Sequence, residues 1–416
     1  VSGTTAAAVD GPRTLLFTGK GGVGKTTLAA ATAVAAAASG HRTLVLSTDP
    51  AHSLSDVLGT PLSGEPSVVD PVLAPRLSAA EVDVQGRFEA GWSQIRQYLV
   101  GVLAARGVAE VTAEELVVLP GADEIVALLE LQQRAASGAY DVIVVDCAPT
   151  GETLRLLALP ETLSFYADRL FGAPQRLLRA LAAGLGGRGG LTTGPDGEVR
   201  DALSDLLTRL TSARALLTAP GSGVTVVTTA EHVVLAEARR AYTALSLHGY
   251  RVGAVVVNRL LPAEADGTWA ARLREGQRRG LTAVAESFAG LPVLHAQLRA
   301  AEPVGVAALT ALAGEVYGDR DPLPGPDDAR IGLQVTGGQG DYRLTVPLPL
   351  ADRGQVQLTR SGDDLVITVG SHRRRIALPS LLQRCTATGA SFRDDALVVA
   401  FVPDPARWPD ALVGAR

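Results

Sequence analysis

The chain has 416 residues, too many for one ordinary domain and enough for two, one of them large. A hydrophobic fraction of 47% and a mean hydropathy of +0.20 exclude global disorder, and a net charge near −5 gives no basic field for sequence-independent nucleic-acid binding. Two cysteines, Cys147 and Cys385, exclude a disulfide framework and a four-cysteine zinc site, which suits a reducing cytoplasm.

The N-terminal "VSGTTAAAVDGPR" lacks the basic start and apolar core of a secretory signal. Strands are then predicted at "RTLLFTG" (13–19), "RTLVLSTD" (42–49), "YDVIVVDC" (140–147), "GVTVVTT" (223–229), "RVGAVVVN" (251–258) and "LPVLH" (291–295). These runs are nearly continuously apolar, as parallel strands covered on both faces require. Helical patterns between them imply right-handed crossovers and a doubly wound, mostly parallel α/β sheet, with functional residues at the C-terminal ends of the strands. The alanine-rich run at 28–38 falls short of the roughly 20 residues that span a bilayer, so it reads as a buried helix and no integral membrane segment is expected. Helical insertions occupy about 86–137 and 152–218, the second containing a glycine-rich stretch at 184–197 expected to be mobile. "DRDPLPGPDD" (319–328) is a linker. Beyond it, alternating runs up to 403 predict a small β-sandwich over 329–403, with hairpin turns at 361–364 and 393–395, before a tail at 404–416.

The phosphate site is the sharpest feature. "GKGGVGKT" (19–26) satisfies G-x-x-x-x-G-K-[ST], follows a predicted strand and opens a predicted helix. Gly19, Gly21, Gly22 and Gly24, with Val23, let backbone amides turn inward around phosphate oxygens, and the helix start adds positive potential. Lys25 would reach the β- and γ-phosphates of ATP, Thr26 would ligate Mg²⁺ through its hydroxyl, and Thr27 follows in the first turn. Lys20 is more specific. Of 38 basic residues only Lys20 and Lys25 are lysines, so an exposed position in this chain would ordinarily be arginine. A compact ammonium fits a phosphate cradle better than a broad guanidinium. Asp49, at the tip of the second strand, can orient an attacking water, and Pro50 stops that strand. Asp146 closes the third strand as a carboxylate holding Mg²⁺ through water, and "APTG" behind it, with Pro149 and Gly151, forms a glycine-hinged loop beside the phosphates.

"KGGVGKTT", "STDPAHSLSD", "PGADEIVALLEL", "DCAPTGETLRLL" and "VVVNRLL" occur in an order and spacing that resembles the ArsA/GET ATPases, which comprise arsenite-pump ATPases and tail-anchored-protein targeting ATPases. The resemblance covers about 10–318. It implies a deviant Walker A P-loop NTPase fold of the SIMIBI type and a cytoplasmic homodimer that sandwiches nucleotide. Within that dimer Lys20 would act across the interface, Asp49 would activate water and contribute to the metal site, Asp146 would support Mg²⁺, and Asn258 would contact adenine. The segment 329–403 resembles an α-crystallin (small heat-shock) sandwich, although no I-x-I/V oligomer-locking motif follows it.

The chain departs from the pattern in three respects. It has no C-x-x-C pair for a zinc clasp. No intrachain three-thiol arsenite site can be drawn from Cys147 and Cys385, and there is one P-loop rather than two, which disfavours arsenite efflux. The apolar residues between 163 and 185 line either a groove for an apolar client helix or an ordinary core. "RRR" (373–375) reads as a solvated strand edge. The expected function is ATP hydrolysis that opens and closes a dimer for chaperone-like or targeting work on apolar-helix clients. The alternatives are a slow nucleotide switch acting on the β-sandwich and, behind it, a ParA/MinD-type positioning ATPase.

Overall fold

The computed structural model describes residues 11–49, 53–82, 122–167, 195–323, 333–338 and 340–408. The expected helices at 86–121, the glycine-rich stretch up to 194, the linker at 324–328 and residues 50–52 lie outside them. So do the side chains between 163 and 185 on which the groove reading rests.

The first strand, β1 (Arg13–Gly19), runs into α1 (Lys25–Ala38), whose alanine-rich sequence lets it lie close on the sheet: Ala29, Ala30, Ala33 and Ala36 are wholly buried. There follow β2 (Thr43–Ser47), a short α2 (Ser53–Leu58), β3 (Ser67–Asp70) and β4 (Ala74–Glu81). Next come α3 (Ala122–Ala136), β5 (Val142–Asp146), α4 (Thr150–Ala167) and α5 (Pro195–Leu217). The unit is completed by β6 (Gly223–Thr229), α6 (His232–Leu247), β7 (Val252–Leu260), α7 (Thr268–Ser287), β8 (Val293–Gln297) and α8 (Gly305–Tyr317).

The eight strands form one sheet in the order β3-β4-β2-β5-β1-β6-β7-β8, parallel throughout except for β3. Six strands were expected; the β3–β4 pair at one edge was not. For β4 the reason is compositional. "APRLSAAE" is alanine- and serine-rich and lacks the β-branched enrichment that marked the others, yet Leu77, Ala79 and Ala80 are buried beside β2. β8 sits two residues later than predicted. One core packs α1, α2 and α8 on one face; the other packs α3 to α7 on the opposite face. On the first face the Thr32 and Tyr317 hydroxyls meet at 2.6 Å, tying α1 to α8, and burial raises the Tyr317 pKa to about 12.

Beyond residue 333 lie β9 (Gln334–Gly338), β10 (Asp341–Pro347), β11 (Val356–Ser361), β12 (Asp364–Val369) and β13 (His372–Ala377), then a one-turn α9 (Ser380–Gln383), β14 (Cys385–Arg393) and β15 (Ala396–Pro403). They make two antiparallel sheets, β14-β15-β10-β9 and β11-β12-β13, around Leu344, Val346, Ile367, Ile376, Val399 and Phe401. Both expected hairpin turns are present. In the second, Asp394 (φ 47°) and Asp395 (φ 57°) are both left-handed, the conformation whose twist matches the flanking strands.

The sandwich is seated on α6. Leu247, wholly buried, belongs to the sandwich core, and Thr243 Oγ1 donates to the Pro349 carbonyl at 2.7 Å. "RRR" is not solvated throughout: Arg373 is exposed, but Arg374 is 6% exposed and donates to the Leu247 carbonyl at 2.5 Å, closing the end of α6. A buried guanidinium at a helix C-terminus satisfies a carbonyl that no intrahelical amide reaches.

Candidate nucleotide site

The loop between β1 and α1 is shaped by glycines that cannot be replaced freely. A Cβ on Gly19 would stand 2.2 Å from the Val227 carbonyl oxygen of β6, so only glycine lets the two strand ends come this close. Gly22 (φ 78°) and Gly24 (φ 92°) are left-handed, while Gly21 is exposed and open. Val23 is 3% exposed and anchors the loop in the core. Lys25 is 6% exposed, and its Nζ donates to the Lys20 carbonyl at 3.5 Å, so the ammonium is folded back over the loop. Lys20 itself is half-exposed. Leu28 N–H donates to the Gly24 carbonyl at 3.1 Å, starting the helix, with Thr26 and Thr27 half-buried in its first turn.

Asp146 lies at the focus. It pairs in register with Phe17 of β1 and Ser47 of β2, so three strand ends converge on it. It is fully buried, Ser47 Oγ donates to its Oδ2 at 3.4 Å, and its Oδ1 has no hydrogen-bond partner. Burial pushes its pKa up to about 7; Thr26 and Lys25 pull it down, and Asp49 pushes it up. Asp49 is half-buried, and its amide donates to Ser47 Oγ at 3.3 Å. The Thr26 and Ser53 hydroxyls lie 3.1 Å apart, and Glu81 Oε1 accepts from the Ser55 amide at 2.9 Å, fixing α2 at the end of β4.

The structure therefore brings Lys25, Thr26, Asp49 and Asp146 into one electrostatic cluster. Asn258 also lies beside the 19–26 loop. Its Nδ2 donates to the Val23 carbonyl at 2.8 Å, so its amide is engaged by the phosphate loop itself. Pro149 accepts from the amides of Glu152 and Thr153, and Gly151 lies exposed in the first turn of α4 rather than in a free hinge. The Pro149 carbonyl starts the helix two residues before the loop was expected to end. Roles for Ser47, Ser53 and Glu81 were missed: Ser47 and Ser53 lie inside "STDPAHSLSD" but are joined to Asp146 and Thr26 only by the fold, and Glu81 lies outside every motif.

A carboxylate that is buried, has one unpaired oxygen and lies beside a threonine hydroxyl and a lysine fits a hydrated divalent cation. Among the described residues no group of three His, Cys, Asp or Glu side chains forms a metal cluster. Cys147 and Cys385 are both buried, in different cores, and burial raises both thiol pKa values. Among the described residues no helix is long and apolar enough to cross a membrane.

Residues 12–318 match the family model described as anion-transporting ATPase, and residues 339–401 match one described as an HSP20-like domain found in ArsA. A protein of Chlorobaculum tepidum, named provisionally as an arsenical pump-driving ATPase, is 36% identical over 94% of this chain and 96% of its own length. ATPase GET3B of Arabidopsis thaliana is 33% identical over 72% of this chain and 77% of its own length. ATPase get3 of Aspergillus terreus is 33% identical over 60% of this chain and 73% of its own length.

Proposed function

The chain belongs to the anion-transporting (ArsA) ATPase family and hydrolyses ATP, and we propose that it does so as a cytoplasmic homodimer whose closure is coupled to the handling of apolar-helix clients. In this reading residues 10–318 form the ATPase unit, 319–328 a linker, 329–403 the sandwich and 404–416 a tail. The observation that carries the mechanism is the buried Asp146, with an unpaired oxygen, beside Lys25, Thr26 and Asp49.

The amides of the 19–26 loop bind the β- and γ-phosphates, and Lys25 leaves the Lys20 carbonyl to bridge them. Thr26 would ligate Mg²⁺ directly and Asp146 through water, with Asp49 nearby; Mg²⁺, when bound, neutralises charge on the phosphate oxygens. Asp49 orients the attacking water by accepting its hydrogen bond. The amides at the start of α4, next to Pro149 and Gly151, report on the presence of the γ-phosphate. Lys20 would reach a second copy's nucleotide and add positive charge where the transition state is most negative, a reading supported by its half-exposed position. The buried, separated cysteines do not support thiol capture of a metalloid. A slow switch acting through the sandwich is the second reading, favoured by the seating of the sandwich directly on α6.

Steady-state phosphate release and equilibrium MgATP binding test the mechanism together. Asp49→Asn is expected to bind MgATP within a few-fold of wild type and to turn over on the order of a hundredfold more slowly. Lys20→Arg is expected to bind normally and to lose about tenfold or more in turnover, with ATP-driven dimer closure weakened. Wild-type turnover in either variant would remove that residue from the chemistry, and the Asp49→Asn result alone separates hydrolysis at this site from the switch reading. Captured on Asp49→Asn with ATP, the clients expected are proteins with an apolar helix.

A further inference from the structure

We propose that Asn258 is a positioning residue of the phosphate loop, held in that role by Gln277 of α7. The proposal rests on the reading that residues 19–26 bind phosphate, and it assigns Asn258 a task distinct from contact with a base.

The end of β7 is irregular. Its register against β8 shifts between Val257 and Leu260, and Arg259, inside the shift, has φ 59°. A left-handed non-glycine residue persists only when its surroundings over-determine it. Gln277 does so with both ends of its amide: Nε2 donates to the Arg259 carbonyl at 3.0 Å, and Oε1 accepts from the Leu261 amide at 2.8 Å. Leu298 N–H adds a bond to the Leu260 carbonyl at 2.7 Å. α7 is itself fixed, because Gly280 packs so tightly that a Cβ would stand 2.0 Å from the Ala230 carbonyl oxygen.

The bulge turns the Arg259 amide onto Asn258 Oδ1 at 2.8 Å, which sets the side-chain amide so that Nδ2 meets the Val23 carbonyl at 2.8 Å. The consequence lies in the next peptide unit. A peptide is planar and trans, so anchoring the Val23 carbonyl toward Asn258 turns the Gly24 N–H to the opposite side. Loops of this kind bind phosphate through amides, and a carbonyl facing the same way would repel it. Gly24 completes the fit: a Cβ there would stand 2.4 Å from Nδ2, so the contact demands glycine independently of its φ of 92°. Asn258 thus selects the orientation of one loop peptide, and Gln277 selects the orientation of Asn258.

The test uses Asn258→Asp, which keeps the acceptor for Arg259 and loses the donor to Val23, and Gln277→Met, which keeps the length and loses both bonds. The full-length chain is assayed for the kcat and KM of MgATP hydrolysis, the inhibition constant of inorganic tripolyphosphate, and melting temperature. Each variant is expected to raise KM and the tripolyphosphate constant by the same factor, about tenfold, with kcat within about threefold. The double variant is expected to be no worse than Asn258→Asp alone, since both act on one contact. A rise in KM with tripolyphosphate unchanged assigns Asn258 to the base and overturns the proposal. So does a fall in kcat at constant KM, which reports only lost active molecules, or a Gln277→Met variant that matches wild type. Failure of both variants to fold makes the contact purely structural and also overturns it. Lys25→Ala is run alongside; wild-type MgATP binding in that variant would defeat the site reading itself, whatever Asn258 does.

Discussion

Arg374→Met tests whether the sandwich is fixed to the ATPase unit by the polar seal seen at the end of α6. Methionine keeps most of the stem, so packing is largely preserved and what is removed is the guanidinium. The lost bond joins a charged donor to the Leu247 carbonyl, and such bonds contribute about 1.5–3 kcal/mol. The carbonyl left behind is buried, a further cost, while release of a buried charge offsets part of the total. A net weakening of the junction by about 2–3 kcal/mol follows, which is a shift in the opening equilibrium of roughly 30- to 150-fold. Burial of Leu247 in the sandwich core remains, so the sandwich should loosen rather than detach. Hydrogen exchange read by mass spectrometry on peptides covering 243–250 and 372–378 should accelerate by about that factor. Peptides covering 13–19 and 142–146 should be unaffected. Unchanged exchange at the junction would show that Arg374 is not part of the seal, and acceleration everywhere would show that the two units unfold together.

Two further outcomes follow from charge. Asp146→Asn should reduce hydrolysis by on the order of a hundredfold, yet should not destabilise the nucleotide-free protein at pH 8. The folded pKa of Asp146, about 7, lies above its ordinary 3.8, so the folded state loses stability as pH rises between those values. The penalty, fully present above pH 7, is bounded at about 4 kcal/mol, less whatever Lys25 loses with its neighbour. Melting curves should therefore favour the asparagine at pH 8 and converge below about pH 4; a marked loss of stability at pH 8 would refute the argument. At the junction, half-buried His372 is held below its ordinary pKa of 6.5, first by burial and then by His248, with the Arg374 cation on the same strand. Its neutral form is the one folded, so the stability it contributes is present above pH 6.5 and is lost as pH falls below that value. His372→Gln should flatten that part of the profile, and an unchanged slope in melting temperature between pH 7 and 5 would count against it.

The glycine-rich turn between β1 and α1 and the central strands were legible because their signals are local. Gly19 to Thr26 form a contiguous pattern, and β1, β2, β5, β6 and β7 are apolar on both faces. β4 escaped because alanine and serine carry little strand preference and its burial comes from pairing with β2, while β3 is only four residues long and is buried at Val69 alone. Arg374 was misread because three consecutive arginines look alike in sequence, while alternation along β13 sends the middle one inward. Gln277 was invisible for a deeper reason. It acts on backbone atoms, which have no sequence identity, across a gap set by the tertiary fold alone.

The burial of both cysteines has a chemical corollary. Oxidants and thiol reagents attack the thiolate at an accessible sulfur, and here both sulfurs are enclosed with their thiol forms favoured. The chain also contains no methionine, the other side chain that peroxide readily modifies. The ATPase unit and the sandwich are therefore shielded together against sulfur oxidation. A cysteine introduced at any exposed position would be the one thiol a reagent reaches first.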